Sequence, residues 1–562
     1  MSGEDRPWTG GSPAGTWGTV RTRRSVLAVA RNMTSAGRLL DVLPMFGSDL
    51  RVRTLFTTVE GSAFDDGLDG YLREAGARTI PWAEAVATRF DLALAANANG
   101  DLHRLDAPLL LMPHGAGHNR LLRTGNGYGP EVSGLARSQL VRDGRVVPAA
   151  IALSHHEQLG RLARYCPEAV TVATVTGDPS FDRLVAHLPR RNRYRRALGV
   201  PDGLKLVLVS STWGEHSLYG SNGDVLSHLL AELPLDEYRV ALVTHPNIPL
   251  HHGELQLRLW LARERGAGLT VIPPERGWQA ALIASDVVVG DHGSVTFYGA
   301  ALGRPVLLAS SGRETQELDP SSPTAELCGV LPRLDRRRGL LEQVDKAVSA
   351  HVPGAYAQVT GRTLGNLGHA GESLREVAYR LMDLTRPPGS APATPFAEPY
   401  DEPWETERPV ASFLVETRAD GETVTLRRFP ADVARPPDEE PREMHLAVDA
   451  EELDLRLLES AAVITHRDGS PEWAWETVRR HPGCALAATV IDERRVRVLL
   501  RREGREVVLG LPETSRVTDV SCLPSVLYGW LVAERRDGEL PATLRLRLGA
   551  VEERVEVSPV LS

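Results

Sequence analysis

Short apolar segments alternate with longer amphipathic segments from residue 25 to residue 309. The short segments are rich in valine, leucine and alanine, which is typical of buried parallel strands. Helical spacing between them predicts an α/β protein with two successive Rossmann-like domains that face each other across a cleft. The predicted strands cover residues 25–30, 51–59, 79–82, 90–95, 109–113, 149–154, 170–177, 204–210, 239–244, 269–272, 286–290 and 306–309.

The pattern changes beyond residue 340. Residues 340–384 have mostly helical spacing, whereas residues 386–404 are rich in proline and alanine without any period, which is typical of a linker. The remainder contains short or alternating segments and one predicted helix at 451–462, so we predict a β-rich α+β domain. Its strands are predicted at 412–418, 423–428, 496–501, 506–510 and 543–548.

These patterns predict five parts of the chain. The β-rich part carries no catalytic motif, so we expect it to stabilise the protein or to bind a protein partner. The parts are a flexible N-terminus (1–20), a first Rossmann-like domain (21–176), a second Rossmann-like domain (177–385), a Pro-rich linker (386–404) and a β-rich accessory domain (405–562).

Composition excludes several classes of protein. The formal charge of -9 argues against a nucleic-acid-binding protein, which usually has a basic face. No long apolar run predicts a membrane span, and the four cysteines lack the spacing of a zinc site or a disulfide framework. We expect a cytoplasmic protein, with any membrane association peripheral and at the inner face.

One segment joins a buried strand to a helix through a polar, glycine-bearing turn. The strand at 286–290 is followed by Asp291, His292, Gly293 and Ser294, and helical spacing then continues to residue 303. Such a turn directs backbone N–H groups and the positive end of a helix towards an anion. A phosphate site is one hypothesis. An ordinary crossover turn is the other, since the turn matches neither the P-loop nor the dinucleotide fingerprint.

Polar residues also follow other predicted strands. The carboxyl ends of parallel strands line one edge of a sheet, and ligands of doubly wound domains bind at that edge. Several polar strand ends in two domains therefore favour a single site in the cleft between them. Besides the turn at 290–294, these ends are residues 32–37, 114–119, 177–182, 210–214 and 245–247.

The order of these segments resembles the GT-B glycosyltransferase architecture and, more narrowly, the CDP-glycerol glycerophosphotransferase family of teichoic-acid synthesis. That family has a His-Gly motif after a strand of its N-terminal domain, as in His114–Gly115 here. Its Pro-Thr-aromatic-Arg segment is matched loosely by Ser211–Gly214, and its His-Pro-like segment by His245–Pro246. Its Ser-Asp-x-Ser-Ser motif, before a helix of small residues, is matched by Gly290–Ser294.

The sequence departs from that family in three of these motifs. The family continues its His-Gly motif as Gly-Thr-Pro-Leu-Lys, whereas residues 115–119 here are Gly-Ala-Gly-His-Asn. Gly214 stands where the family has arginine, and His292–Gly293 stands where it has tyrosine and serine. Residues 177–182 also resemble the Gly-Asn-Pro-containing segment of the non-hydrolysing UDP-N-acetylglucosamine 2-epimerases, another GT-B relative.

The resemblance implies a metal-independent transferase without a cofactor. It would move a glycosyl or glycerol-phosphate-like group from a CDP- or UDP-linked donor to a hydroxyl acceptor, either a polymer or a lipid-linked molecule. Residues 21–176 would form the acceptor side and residues 177–385 the donor side. His114 would be the base that activates the acceptor hydroxyl, and His245 would stabilise the pyrophosphate, roles that suit imidazole.

Further candidate residues follow from the same motifs. Asp291 would hold His292, bind a donor hydroxyl or cap the following helix. Glu314 and Glu317 would bind the ribose of the donor, or they would lie solvated in a loop. On the donor side the candidates are Ser211, Thr212, Asp291, His292, Gly293, Ser294, Thr296, Glu314 and Glu317, and on the acceptor side they are Asn32, Gly115 and Asn119.

Two alternatives compete with this interpretation. The same fold could carry out a nucleotide-sugar 2-epimerisation, or it could bind nucleotides as a non-catalytic scaffold protein. A metal site at the pairs His155–His156 and His251–His252 is not predicted, because companion carboxylates or cysteines at ligand spacing are missing.

Overall fold

The computed structural model describes residues 20–59, 67–122, 131–309, 316–391, 393–400, 410–433, 444–534 and 540–560. These residues form two parallel sheets and a closed barrel. The predicted α/β class is thereby confirmed for the part of the chain that precedes the barrel.

The first sheet has the strand order β10-β9-β4-β3-β1-β2, and all its pairs are parallel. Its strands, with two short antiparallel pairs (β5–β6 and β7–β8), are β1 (Arg24–Ala30), β2 (Val52–Thr58), β3 (Leu92–Ala95), β4 (Leu109–Leu111), β5 (Leu121–Leu122), β6 (Glu131–Val132), β7 (Val141–Arg142), β8 (Arg145–Val146), β9 (Ala150–Leu153) and β10 (Ala173–Val175). The accompanying helices are α1 (Met33–Val42), α2 (Leu68–Glu74), α3 (Trp82–Ala87), α4 (Arg137–Leu140) and α5 (His156–Tyr165).

The second sheet has the order β13-β12-β11-β14-β15 and is also fully parallel. Its strands are β11 (Lys205–Ser211), β12 (Tyr238–Thr244), β13 (Thr270–Ile272), β14 (Val287–Gly290) and β15 (Val306–Leu308). The helices of this region are α6 (Pro179–His187), α7 (Arg191–Ala197), α8 (Leu218–Ser221), α9 (Val225–Glu232), α10 (Asn247–His252), α11 (Glu254–Gly266), α12 (Trp278–Ala284), α13 (Ser294–Ala301), α14 (Pro323–Val330), α15 (Leu340–Ser349), α16 (Ala357–Thr360) and α17 (Ala370–Leu381).

Both sheets are covered by helices on both faces. In β1, Val26 and Ala28 pack in one core cluster while Leu27 and Val29 pack in another, as the two-residue period of a strand requires. Strands buried on both faces are apolar throughout, which explains the continuous apolar runs in the sequence. The order of the strands reverses between β1 and β3 and between β11 and β14, which marks the expected ligand-binding edge of each sheet.

Two local predictions differ from the structure. Residues 79–82 do not form a strand: Thr79 makes only an isolated bridge to Phe56, and Trp82 already begins α3. Helix α17, which lies within the predicted second domain, packs with Leu374, Val377 and Tyr379 in the core of the first sheet. An amphipathic helix buries its apolar stripe wherever a matching face is available, and periodicity does not specify that face.

The β-rich part forms a closed barrel in the order β16-β17-β23-β24-β22-β21-β20-β19-β18. Its strands are β16 (Ser412–Asp420), β17 (Thr423–Pro430), β18 (Met444–Asp449), β19 (Val463–His466), β20 (Leu486–Asp492), β21 (Arg495–Leu500), β22 (Arg505–Gly510), β23 (Thr543–Leu548) and β24 (Val551–Pro559). The helices are α18 (Leu455–Ser460), which is shorter than predicted, α19 (Pro471–Arg480) and α20 (Leu523–Glu534).

Helix α20 fills the interior of the barrel. It packs against strands on opposite sides of the barrel, including β16, β17, β20 and β21. Leu523, Val526 and Leu527 are fully buried in the barrel core. A helix that is buried on all sides is apolar all round, which is why residues 523–534 show no amphipathic period.

The barrel contacts the second sheet at the amino-terminal end of β12. Arg428 of β17 donates to both carboxylate oxygens of Asp236, at 3.0 and 2.7 Å, and its carbonyl accepts from the N–H of Leu235 at 2.9 Å. Asp236 precedes β12, whose other end leads to His245. The barrel therefore lies at the end of this strand opposite to the predicted site.

Candidate active site

The carboxyl ends of β11 and β14 are joined by the side chain of Asp291. This carboxylate is fully buried and accepts hydrogen bonds from the N–H and the hydroxyl of Thr212, both at 2.8 Å. It also accepts from the N–H groups of Leu218 at 2.9 Å and Gly293 at 3.1 Å. Asp291 therefore fixes the two loops that follow the switch point of the sheet, and its carboxylate has no exposed oxygen for a donor hydroxyl.

This arrangement corrects two expectations. Asp291 is not the helix cap, since the N-cap of α13 is Gly293. The hydroxyls of Ser211 and Thr212 already have protein partners: Ser211 donates to the carbonyl of Thr212 at 2.9 Å and accepts from the N–H of Tyr219 at 3.0 Å. Both hydroxyls hold the loop in place, and this geometry does not support their predicted role as phosphate donors.

The amino-terminal end of α13 is covered by a loop of the first sheet. The hydroxyl of Ser294 accepts from the N–H of Ala116 at 3.2 Å, and a Cβ atom on Gly115 would lie 2.4 Å from that hydroxyl. The N–H of Gly293 is directed to Asp291. Thr296 is buried under the turn, where a Cβ atom on Gly290 would meet its hydroxyl. Gly293, Ser294 and Thr296 thus shape the contact between the loops.

His245 follows β12 and is positioned as a hydrogen-bond donor. Its Nδ1 accepts from the N–H of Asn247 at 3.1 Å, so the neutral ring carries its proton on Nε2. Nε2 lies 3.4 Å from the hydroxyl of Thr34, which follows β1 of the other sheet. Desolvation, together with the positive charges of His114 and Arg120, lowers the pKa of His245 to about 3.

His114 lies in the same region, as the sequence predicts. Its side chain reaches solvent, yet desolvation by the surrounding protein lowers its pKa below 6.5, helped by the charge of Arg38 and then of Arg120. A hydrogen bond to the backbone of Ala96, directly after β3, holds the ring at the switch point of the first sheet. The charge of His114 also contributes to the lowered pKa of His245.

The acceptor-side candidates have mainly structural contacts. Asn32 is the N-cap of α1 and accepts from the N–H of Ser35 at 2.9 Å. Asn119 donates to the carbonyl of Ala116 at 2.6 Å and so shapes the loop behind His114. The residue of this segment that approaches His245 is Thr34 and not the predicted Asn32. No signal in the sequence distinguished Thr34 from its neighbours.

Glu317 connects both halves of the site. Its carboxylate accepts from Arg120 at 3.2 Å and lies 3.8 Å from Nε2 of His292. Glu314 lies outside the described residues. The guanidinium of Arg120 stands 4.8 Å from the ring centre of Trp213, whose ring centre is 6.2 Å from that of His245. Arg120 was not among the predicted residues, although it directly follows the predicted loop.

The buried ion pair between Arg38 and Asp178 holds the loop that carries His114. Arg38 donates to the carbonyl of Pro113 at 3.0 Å, to the carbonyl of Gly115 at 3.2 Å and to Asp178 at 3.0 Å. Asp178 also accepts from the hydroxyl of Tyr298, on α13, at 2.6 Å. This network ties α1, the loop after β4, α6 and α13 together. Sequence reasoning placed residues 177–182 at a strand end but gave no sign of Arg38.

The described residues show neither a metal cluster nor a membrane span. They contain no group of three or more His, Cys, Asp and Glu side chains positioned to hold a metal ion. Within the same ranges, every helix is too short or too polar to cross a bilayer. Independence from metals stays a prediction.

One family model matches part of the chain. Residues 165–317 match the family described as CDP-Glycerol:Poly(glycerophosphate) glycerophosphotransferase. The match confirms the predicted resemblance and supports the predicted class of reaction, a transfer from a nucleotide-activated donor. It contains His245, Asp291 and Glu317 but begins beyond the loop that carries His114. A sequence search of the curated proteins finds no match.

Solved structures with similar folds share little sequence with this chain. The wall teichoic acid polymerase TagF has 13% identity and a TM-score of 0.42, covering 65% of this chain and 90% of its own. The UDP-GlcNAc 2-epimerase of Neisseria meningitidis has 13% identity and a TM-score of 0.41, covering 63% and 100%. A glycosyltransferase from Rickettsia africae has 10% identity and a TM-score of 0.36, covering 64% and 99%.

Proposed function

We propose that this chain is a GT-B-type transferase whose two parallel sheets belong to domains that face each other across the site. It moves a glycosyl or glycerol-phosphate-like group from a nucleotide-activated donor to a hydroxyl acceptor. The observation that carries the proposal is that strand ends of the two sheets meet: Nε2 of His245 lies 3.4 Å from the hydroxyl of Thr34, and Ser294 accepts from the N–H of Ala116 in the loop of His114. A site assembled from two sheets suits a reaction with two substrates.

His114 acts as the general base in this proposal. Because its pKa is lowered, its ring is neutral near pH 7 and has a lone pair available for a proton. The acceptor hydroxyl gives its proton to the ring while its oxygen bonds to the carbon or phosphorus atom of the transferred group. The bond from that atom to the nucleotide's phosphate oxygen breaks, and the electron pair leaves with the nucleotide.

His245 stabilises the leaving phosphate. Its Nε2–H is the donor, because Nδ1 is occupied by the N–H of Asn247. A neutral donor aimed at a developing negative charge needs no reorganisation during the reaction. Anionic phosphate beside the ring would also raise its pKa from the value of about 3 in the free protein.

The donor is proposed to be CDP- or UDP-linked, and the acceptor a polymer or a lipid-linked molecule reached by a protein at the inner membrane face. We propose further that transfer needs no metal, since a histidine is in place to stabilise the leaving group. An unchanged rate in the presence of EDTA checks this point.

The test uses the full chain. Calorimetric titration with CDP-, UDP- and GDP-linked donors identifies the donor, and transfer to hydroxyl acceptors is then measured for His114→Ala and His245→Ala. Both variants are expected to lose transfer by about a hundredfold or more while they keep the melting temperature of the wild type. The exposed His103→Ala is the control. Full activity in both variants would dismiss the mechanism, and conversion of the donor without any acceptor would favour an epimerase.

A further inference from the structure

Arg120 brings a positive charge from the first sheet onto a loop of the second. Its guanidinium lies over the ring of Trp213, 4.8 Å from the ring centre, and donates to Glu317 at 3.2 Å. The loop after β11 has the sequence Thr-Trp-Gly-Glu-His-Ser and contains no lysine or arginine of its own. The guanidinium beside this loop therefore comes from another part of the chain, at Arg120.

The position of Arg120 is set by the backbone on both sides. The carbonyl of Asn119 accepts from the N–H of Asp319 at 2.8 Å, and the N–H of Leu121 donates to the carbonyl of Glu317 at 2.8 Å. Arg161 reinforces this pairing, since it donates to Asp319 at 3.1 Å. The stem of Arg120 is thus held between two hydrogen-bonded neighbours, and only its long side chain is free to adjust.

The charge of Arg120 extends to both histidines of the site. The pKa of His245 is lowered first by desolvation, then by the charge of His114 and then by that of Arg120. Arg120 also contributes to the lowered pKa of His114. Trp213 lies between Arg120 and His245, in contact distance of both. The ring of Trp213 thus connects two donors, the guanidinium of Arg120 and the Nε2–H of His245.

We infer that Arg120 binds the diphosphate of a nucleoside-diphosphate-linked donor, together with Nε2–H of His245. The inference rests on the proposed function and names the residue that binds the second phosphate of the donor, the one farther from the nucleoside. A guanidinium presents a planar fork of donors that matches phosphate oxygens, and stacking on an aromatic ring orients it. Glu317 is the resting partner, and phosphate takes its place when the donor binds.

The exchange of partners is possible because one side of the resting ion pair is open to solvent. The side chain of Arg120 is 48% exposed, so its charge is partly screened, whereas that of Glu317 is 11% exposed and lies 3.8 Å from Nε2 of His292. A phosphate can thus take Glu317's place at the guanidinium while His292 stays beside the carboxylate. This arrangement also keeps the guanidinium oriented in the absence of the donor.

Calorimetry with two pairs of nucleotides tests this inference on the full chain. CDP and UDP contain the second phosphate, whereas CMP and UMP lack it. Arg120→Gln is expected to weaken binding of CDP or UDP by about tenfold or more, since a charge-assisted bond to phosphate is lost, and to leave CMP and UMP within about twofold. Arg120→Lys keeps the charge without the fork and is expected to bind between these limits.

Two further variants make the result specific. Arg137→Gln removes an exposed arginine that pairs with Glu168 in the same half of the chain, and it should bind every nucleotide as the wild type does. Glu317→Gln releases Arg120 and should bind CDP or UDP at least as tightly as the wild type. If Glu317→Gln instead weakens CDP and CMP alike, the carboxylate binds the nucleoside and the partner exchange is wrong.

The outcomes separate this inference from the proposed function. If the wild type binds CDP or UDP and Arg120→Gln binds them equally well, the role of Arg120 is wrong while the transferase proposal stands. If the wild type binds none of the nucleotides or nucleotide-linked donors, both are wrong. If Arg120→Gln lost affinity for CDP and CMP equally, the inference that Arg120 binds the second phosphate would also be wrong.

Discussion

The hydroxyl of Ser294 accepts a hydrogen bond from the N–H of Ala116 at 3.2 Å, so the start of α13 touches the loop that carries His114. This close approach depends on Gly115, because a Cβ atom there would lie 2.4 Å from the same hydroxyl. Two loops that follow strands of different sheets are thereby held in register at the candidate site.

Gly115→Ala should disturb this contact. One of the loops has to shift, so we expect transfer to fall and the free energy of unfolding to drop by about 1–3 kcal/mol, as overpacking does. Gly160→Ala is the control, since its Cβ atom would meet no atom within 4 Å and it lies inside α5. Urea unfolding and transfer rates measure both effects. Wild-type values for Gly115→Ala would contradict the importance of this approach.

Asp291→Asn should act through the fold of the site. An amide offers one acceptor oxygen to the four donors that the carboxylate now satisfies, so we expect a loss of about 2–3 kcal/mol in the free energy of unfolding. Asp335→Asn, in an exposed turn, is the comparison. If Asp291→Asn lost donor binding with unchanged stability, the carboxylate would contact the donor directly, contrary to its burial here.

Asp178→Asn should be more harmful. Both side chains of the pair with Arg38 are nearly inaccessible, at 4% and 1% exposure, so the variant leaves a buried guanidinium without a counter-charge. The expected cost is about 3–5 kcal/mol in the free energy of unfolding. The exposed ion pair between Arg137 and Glu168 provides the control, since Glu168→Gln should leave the urea midpoint unchanged. Equal behaviour of the two variants would refute a special role for the buried pair.

Stability should fall as the solution becomes acidic. Burial lowers the pKa of His118 and of His445 to about 3, with the charges of Arg161 and His114 adding to the effect at His118. The unfolded chain takes up these protons near pH 6.5 and the folded protein does not, so each group costs about 1.4 kcal/mol per pH unit below 6.5. Stability is therefore complete above pH 6.5 and decreases towards pH 3.

His445→Asn isolates one of these groups. Between pH 7.5 and pH 5 its loss of unfolding free energy should be smaller than that of the wild type by about 2 kcal/mol. Urea titrations at both pH values give the difference, with the exposed His103→Asn as the control variant. An identical loss in His445→Asn and the wild type would show that the ring is protonated in the folded protein.

The sequence by itself determined where most strands lie along the chain and which residues follow them. Apolar runs identified most strands of both sheets to within two residues, because buried parallel strands have a composition unlike that of their surroundings. His114 and His245 could be placed at strand ends for the same reason. The structure brings Thr34 to within 3.4 Å of His245 and Ala116 into contact with Ser294, while a shared site for the two histidines stays a prediction.

Only the tertiary structure decided which polar groups face inward and which are already satisfied. Asp291 and Thr212 lie 79 residues apart, and Arg38 and Asp178 lie 140 residues apart. Local periodicity reports the face on which a residue lies, but it does not report the partner that a distant loop supplies. The roles of Arg38, Thr34 and Arg120, and the helix inside the barrel, depend on such long-range pairings, whose geometry is set by the packing of whole elements.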